Sequence, residues 1–301
     1  MLESELLEEI RKRFSRSSQF LEIGIGDDGA VFVPNGKQVV VTDVAVENVH
    51  FRCDWSSYLQ IGRKVTAANI ADIFAMGGVP RYLLVALVLP DRHLAGALEI
   101  ADGIANEADL VGATVIGGDL STGSELTISV TALGDVSKPV RRDGAKIGDR
   151  VLISELPGAS AAGLHLLQSG AAISSEMAKD LISQHLAPSI NYQKYRESMG
   201  KLNSAIDTSD GLLLDTSRIA QASKVRINLY TENMRSSPLH LLNSEKYLNW
   251  VLNGGEDHKL LGTCSEALEG FIEIGRVESG TGVFLDDKAI SISGFEHRWK
   301  N

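Results

Sequence analysis

The apolar run YLLVALVLP, residues 82–90, lies between two segments whose apolar residues recur at helical spacing. A short, continuous apolar run of this kind predicts a buried strand. Upstream, RKVTAANIADIFAMGG ends at Gly77-Gly78 with Pro80 beyond, predicting a helix with Asp72 inside it. Downstream, a second helical pattern runs from Leu94 to Leu110, followed by TVIGGDLSTG and the strand-like LTISVTALGDV. The alternation predicts an α/β chain with mixed sheets.

The pattern breaks at Lys138-Pro139, which predicts two domains, 1–138 and 139–301. The second half repeats the alternation. Helices are expected around SAAGLHLL, SEMAKDLISQHL and SEKYLNWVLNGGED, a strand-turn-helix in SAIDTSDGLLLDTSRIAQAS, and strands in VRINLY, HKLLGTC and AISIS. The N-terminal MLESELLEEIRKRF has acids among its leucines and reads as an amphipathic helix, not a signal peptide.

At 301 residues and 44% hydrophobic content the chain suits two folded cores. Its formal net charge of -10 argues against a nucleic-acid or anionic-membrane surface. The apolar run at 82–90 is far shorter than the ~20 residues of a membrane helix. Cys53 and Cys264 lack CxxC spacing, so the sequence supports neither a disulfide framework nor a structural zinc site. A reducing cytosol is the simplest home, and a cytoplasmic location is expected.

The stretch GIGDDG, residues 24–29, matches G-x-G-x-x-G, yet it runs into AVFVPNGKQVVVTD, two β-branched runs around Asn35-Gly36. The dinucleotide fingerprint needs a helix there, and this sequence predicts a hairpin. Two adjacent carboxylates would also repel a pyrophosphate unless cations lay between.

Similar acids recur at strand ends or beside glycines: Asp27, Asp28, Asp43, Asp72, Asp119, Asp207 and Asp210. Such positions can point a carboxylate into a cleft, and oxygen donors without a Cys or His cluster select Mg²⁺, Mn²⁺ or Ca²⁺. Each acid taken alone reads equally well as a turn former or helix cap. Neither the P-loop nor the protein-kinase signatures occur, so any ATP site is of another kind.

The ordered set IGDD-A-V, VTD-ENVHF, RKVTAANIADIFAMGG, IGGD, RRDGAKIGD, SAAGL, AIDTSDGL and NGGED closely resembles the thiamine-monophosphate kinase family, part of the aminoimidazole ribonucleotide synthetase-like superfamily. The resemblance runs from about residue 20 to Phe295. It implies an N-terminal α/β domain that binds ATP and Mg²⁺ and packs its sheet in a homodimer. A C-terminal α/β domain completes the active-site cleft. The implied reaction is direct transfer of the γ-phosphoryl group of ATP to thiamine monophosphate, with several Mg²⁺ ions and no general base.

Position by position, the resemblance makes Asp28, Thr42, Asp43, Asp72, Asp119, Asp207 and Asp210 Mg²⁺ ligands, with Asp27 adjoining them. It makes Gly118, Asp119, Arg142 and Ser209 nucleotide contacts, with Lys146 a further cation nearby. It makes His50, Glu256 and Phe295 contacts of thiamine monophosphate. The chain departs from the family pattern at Val41, at Leu120 and at His258-Lys259, where a Tyr-Glu pair is expected. The departures keep open another ATP-dependent enzyme of the superfamily, or a catalytically weak Mg²⁺-nucleotide sensor.

Overall fold

A computed structural model describes residues 3–16, 18–170 and 175–295. The chain folds as two compact units, residues 1–74 with 78–137, and residues 75–77 with 138–301.

The first unit contains α1 (Glu3–Phe14), β1 (Leu21–Ile23), β2 (Val31–Phe32), β3 (Lys37–Val46), α2 (Tyr58–Ala75), β4 (Val79–Val88), α3 (Ala97–Asp109), β5 (Thr114–Ser121) and β6 (Thr127–Val136). Its four-stranded sheet has the order β3-β6-β4-β5, so β3 and β5 stand at the edges. β4 pairs with β5 in parallel and with β6 antiparallel, as a strand followed by a crossover helix requires. One face carries α2 and α3, which approach closely because Gly62 and Gly103 bring backbone against backbone: a Cβ on either would stand 2.2 Å from the other helix's carbonyl oxygen.

The hairpin expected around Asn35-Gly36 does not form. β2 pairs instead with β1, and β3 pairs with β6 over ten residues, Lys37 opposite Val136 through Val46 opposite Thr127. Pro34 has no N–H to give a ladder, and Phe32 turns away onto Tyr82 with ring centroids 4.8 Å apart.

The second unit contains β7 (Arg150–Ile153), α4 (Ala159–Ser169), α5 (Glu176–Leu186), α6 (Tyr192–Ser198), β8 (Ser204–Asp207), α7 (Leu212–Ser223), β9 (Arg226–Leu229), α8 (Leu239–Leu242), α9 (Tyr247–Asn253), β10 (Leu260–Cys264), β11 (Ile272–Glu278), β12 (Gly282–Leu285) and β13 (Lys288–Ala289). They build a seven-stranded mixed sheet, β13-β12-β9-β11-β7-β10-β8. Its core gathers Val151, Ile153, Ile206, Leu212, Ile227 and Leu261. The strand expected in AISIS shrinks to Lys288–Ala289, because only Leu285 and Phe284 offer it a ladder. Among the described residues, no helix is long and apolar enough to cross a membrane.

Candidate functional site

Each unit carries its own acidic group. In the first, strand alternation sorts the residues between the two faces of the sheet. Thr42, Thr131, Leu84 and Gly117 form one cross-strand row, and Val44, Ser129, Ala86 and Asp119 the next, all on the face away from α2. Thr42 Oγ1 lies 2.9 Å from Thr131 Oγ1. Asp43 falls in the alternate row with Val130, Val85 and Gly118, on the face where Ile73 of α2 packs against Gly134. Asp72, half-buried beside Ile73, belongs to that side.

A cavity of about 870 Å³ wraps the edge strand β5 and is lined by Asp27, Asp28, Gly118 and Asp119. Gly118 can stand there only as glycine, since a Cβ would lie 1.9 Å from the Val85 carbonyl oxygen. Helix α1 also lines it, and its Arg11 packs against Gly26, supplying a cation near the exposed Asp27 and Asp28. Sequence reasoning missed Arg11, because one cation in a helix rich in charge carries no distinguishing signal. Among the described residues, Asp43, Asp72 and His50 do not line this cavity. His50 sits in the turn after β3, its Nδ1 accepting a hydrogen bond from the Val46 N–H at 3.0 Å.

In the second unit, two turns interlock. The first follows β8 as Asp207-Thr208-Ser209-Asp210-Gly211, and the second follows α9 as Gly254-Gly255-Glu256-Asp257-His258. The N–H groups of Glu256 and His258 donate to the carbonyls of Ser209 and Thr208 at 2.8 and 3.0 Å. A Cβ on Gly255 would stand 2.5 Å from Ser209 O, and Gly211, at φ +119°, 2.9 Å from Asn253 O. Glu256 and His258 themselves hold φ of 63° and 48°, a left-handed conformation that costs energy and is kept by the surrounding bonds. Phe295 joins them, its N–H donating to Asp210 O at 3.0 Å. The fold thus gathers Asp207, Ser209, Asp210, Glu256 and Phe295. Arg142 and Lys146 are exposed on a segment beside the start of β8, whereas Asp207 ends that strand.

The pair His258-Lys259 turns inward. His258 Nδ1 lies 3.0 Å from the buried Asp207 Oδ2, and Lys259 Nζ 2.9 Å from Glu155 Oε2. Lys259 therefore spends its charge on Glu155 and leaves Glu256 its own.

Two more acids emerge only from the structure. Asp257 is buried and caps α4, accepting from the N–H groups of Gly158 at 2.7 Å and Ser160 at 3.0 Å. Burial raises its carboxyl above the usual range. Asp215 on α7 is fully buried, accepts from the Asp210 N–H at 3.1 Å, and shares Arg218 with Asp210: Nη1 to Asp215 at 2.5 Å, Nη2 to Asp210 at 2.7 Å. A guanidinium here holds two carboxylates together as a bound cation would. An acid inside the apolar stretch GLLLD is the signal that singles out Asp72, and it could have found Asp215 as well.

Burial, then the nearby Asp207 charge, push Asp215 up to about 7 from 3.8. Between those values the folded chain keeps a proton that the unfolded chain has lost, so this group's contribution to stability falls as pH rises through the window. Asp215→Asn does not titrate. In chelator-treated buffer its Tm should therefore gain on the native chain's as pH rises from about 4 to about 7. A constant Tm difference across that range would show that Asp215 ionises normally.

The family model described as AIR synthase related protein, N-terminal domain, matches residues 26–136. The thiamine-monophosphate kinase of Aquifex aeolicus is 35% identical over 285 residues, covering 91% of this chain and 92% of the relative. The crystal structure of thiamine-monophosphate kinase from Stenotrophomonas maltophilia superimposes with a TM-score of 0.86 at 30% identity, over 96% of this chain and 98% of that one. A structure described as AaThiL complexed with AMPPCP and TMP superimposes with a TM-score of 0.83 at 33% identity, over 98% and 97%. With similarity in sequence and fold running nearly end to end, the chain belongs to the thiamine-monophosphate kinase family.

Proposed function

We infer that this chain transfers the γ-phosphoryl group of ATP to thiamine monophosphate, giving thiamine diphosphate and ADP. The observation that carries this is the near-complete overlap with AaThiL, a protein complexed with AMPPCP and TMP. AMPPCP is an ATP analogue with a carbon bridge, so that complex pairs a nucleotide with the phosphate acceptor.

The donor set fits Mg²⁺. Asp28, Thr42, Asp43, Asp72, Asp119, Asp207 and Asp210 offer only carboxylate and hydroxyl oxygens, the hard donors this ion takes. Bound Mg²⁺ would neutralise the phosphates of two substrates that otherwise repel each other. The chain's own residues do the rest. Gly118, Arg142 and Ser209 contact the nucleotide, the glycine through its backbone because its Cβ position is taken by Val85 of the next strand. His50, Glu256 and Phe295 hold thiamine monophosphate, a carboxylate and an aromatic face suiting a cationic thiazolium and its aminopyrimidine. The attacking phosphate oxygen is already largely ionised near neutral pH, its second pKa being about 6, so no general base is required. Positioning carries the catalysis.

Glu256→Gln keeps the shape and removes the charge. It should raise KM for thiamine monophosphate by roughly tenfold or more, with KM for ATP unchanged. Equal shifts in both constants would remove Glu256 from the acceptor site.

The first unit, 1–138 in this reading, also makes a homodimer in the cytoplasm through its open sheet face. Support comes from apolar side chains left bare there: Val40 is 57%, Val44 51% and Leu84 37% exposed. Val44→Lys should shift the light-scattering mass from dimer to monomer. A native chain that is monomeric at micromolar concentration would exclude this contact.

The reading is tested with a panel of acceptors under ATP and Mg²⁺. ADP release with thiamine monophosphate alone supports it. Release with a different acceptor of the superfamily would move the assignment, and nucleotide binding with no turnover would make the chain a sensor.

A further inference from the structure

Outside the acids just described, the first unit assembles a second group of metal-binding chemistry. Glu47 follows β3, Cys53 lies six residues on, and His93 stands on the 3-10 turn Asp91–Gly96. One ligand atom from each lies within 4.8 Å of the others, and Glu47 and His93 are buried while Cys53 is half-buried. We propose that Glu47, Cys53 and His93 bind one zinc ion, which clamps the turn bearing His50 to the turn at Asp91–Gly96.

The donor types select the metal. Thiolate, imidazole and carboxylate together are the set that zinc takes, and Mg²⁺ does not favour sulfur. Tetrahedral bonds of about 2.0–2.3 Å put ligand atoms roughly 3.3–3.8 Å apart, so the trio is within about 1 Å of a zinc-binding arrangement. Glu47 Oε1 and His93 Nε2 are already 3.1 Å apart. The ring is aimed by a neighbour, Tyr58 Oη lying 2.9 Å from His93 Nδ1, as a zinc-binding imidazole is oriented by a partner on its other nitrogen. Half-exposure of Cys53 leaves the group reachable from solvent.

Ion pairing alone would explain Glu47, His93 and Arg92, whose Nη2 is 2.7 Å from Glu47 Oε2. The Cys53 thiol joins them by a hydrogen bond to the same Glu47 carboxylate, which brings a sulfur donor into the pocket. Burial and then the Glu47 carboxylate push the Cys53 thiol up to about 12, so a bound ion would have to displace its proton. A divalent ion removes that proton and neutralises both anions. The acid itself is ready: although burial opposes its charge, the Leu126 N–H, His93 and Arg92 hold Glu47 below its ordinary range. The consequence reaches the candidate acceptor site, because His50 lies inside the 47–53 turn that the ion would fasten. Spacings of six and forty residues carry no recognisable zinc motif, which is why only the fold reveals the group.

The test uses the full chain, loaded with zinc and dialysed into excess Mg²⁺ so that oxygen-only sites are filled. Mass spectrometry of metals should find one zinc per chain in the native protein and in Cys264→Ala, and none in Cys53→Ala or His93→Ala. Tyr58→Phe should weaken zinc binding by roughly tenfold. In Cys264→Ala, cobalt replacing zinc should give a sulfur-to-cobalt charge-transfer band, since Cys53 is then the one thiol left. That last measurement needs no ligand variant to fold. A native chain that retains no zinc, zinc retained equally after Cys53→Ala and His93→Ala, or no cobalt–sulfur band in Cys264→Ala would each overturn the proposal.

Discussion

Asp119→Asn is expected to lower kcat/KM for thiamine monophosphate by on the order of 10³, with Tm within about 2 °C of the native value. Asp119 is exposed on β5 beside Asp27 and Asp28 in the cavity at the sheet edge, so its carboxylate carries no packing. Asparagine keeps the volume and one oxygen but loses the charge. A lost metal ligand forfeits several kcal/mol of stabilisation of the transferring phosphoryl group, and about 4 kcal/mol corresponds to roughly 10³ in rate. Raising Mg²⁺ should recover part of the loss if the acid acts through the ion. Native turnover by Asp119→Asn at all Mg²⁺ concentrations would take this residue out of the reaction, and a collapse of Tm would make its role structural.

The second large effect concerns stability. Asp257→Ala should cost about 3 kcal/mol, lowering Tm by roughly 6–12 °C, because two buried N–H groups at the start of α4 lose their only described acceptor oxygens. The same side chain ties the 254–258 turn to α4, so Glu256 loses its strained left-handed geometry and thiamine monophosphate use falls beyond what unfolding explains. Asp257→Asn retains one acceptor and should recover part of the loss. Thermal melts of the two variants decide the matter: alanine and asparagine melting alike, close to the native chain, would mean that water replaces the carboxylate without cost.

The long periodic segments were legible in the sequence. The helix around Asp72 and the strand-turn-helix at Asp207 appear as their spacing predicts. The run at 82–90 falls largely in β4 as expected, but it is buried on one face only: Leu84 and Ala86 stand exposed on the open side of the sheet, because a continuous apolar run does not say whether both faces are covered. The failures lie where local signals compete with distant partners. Asn35-Gly36 promised a hairpin, and the ladder from β3 to β6, ninety residues on, won through its ten rungs. AISIS has strand composition but almost no partner to pair with. At the candidate site, Asp27, Asp28, Asp119, Asp207 and Asp210 had a signal in nearby glycines or strand ends, Asp43 in a strand run and Asp72 in its apolar helical stretch, whereas Asp257 was hidden behind Glu256 in the motif NGGED. The inward turn of His258 and Lys259 was also invisible: a charge reversal in sequence becomes a buried pair once Glu155 and Asp207 are placed.

The measurement that bears most directly on the reaction is the yield of thiamine diphosphate from thiamine monophosphate and ATP, with and without Mg²⁺, with ADP quantified in the same sample. Direct transfer requires thiamine diphosphate equal to ADP, present with Mg²⁺ and absent after chelation. ADP formed in excess of thiamine diphosphate, or exchange of label between ATP and ADP without thiamine monophosphate, would contradict it.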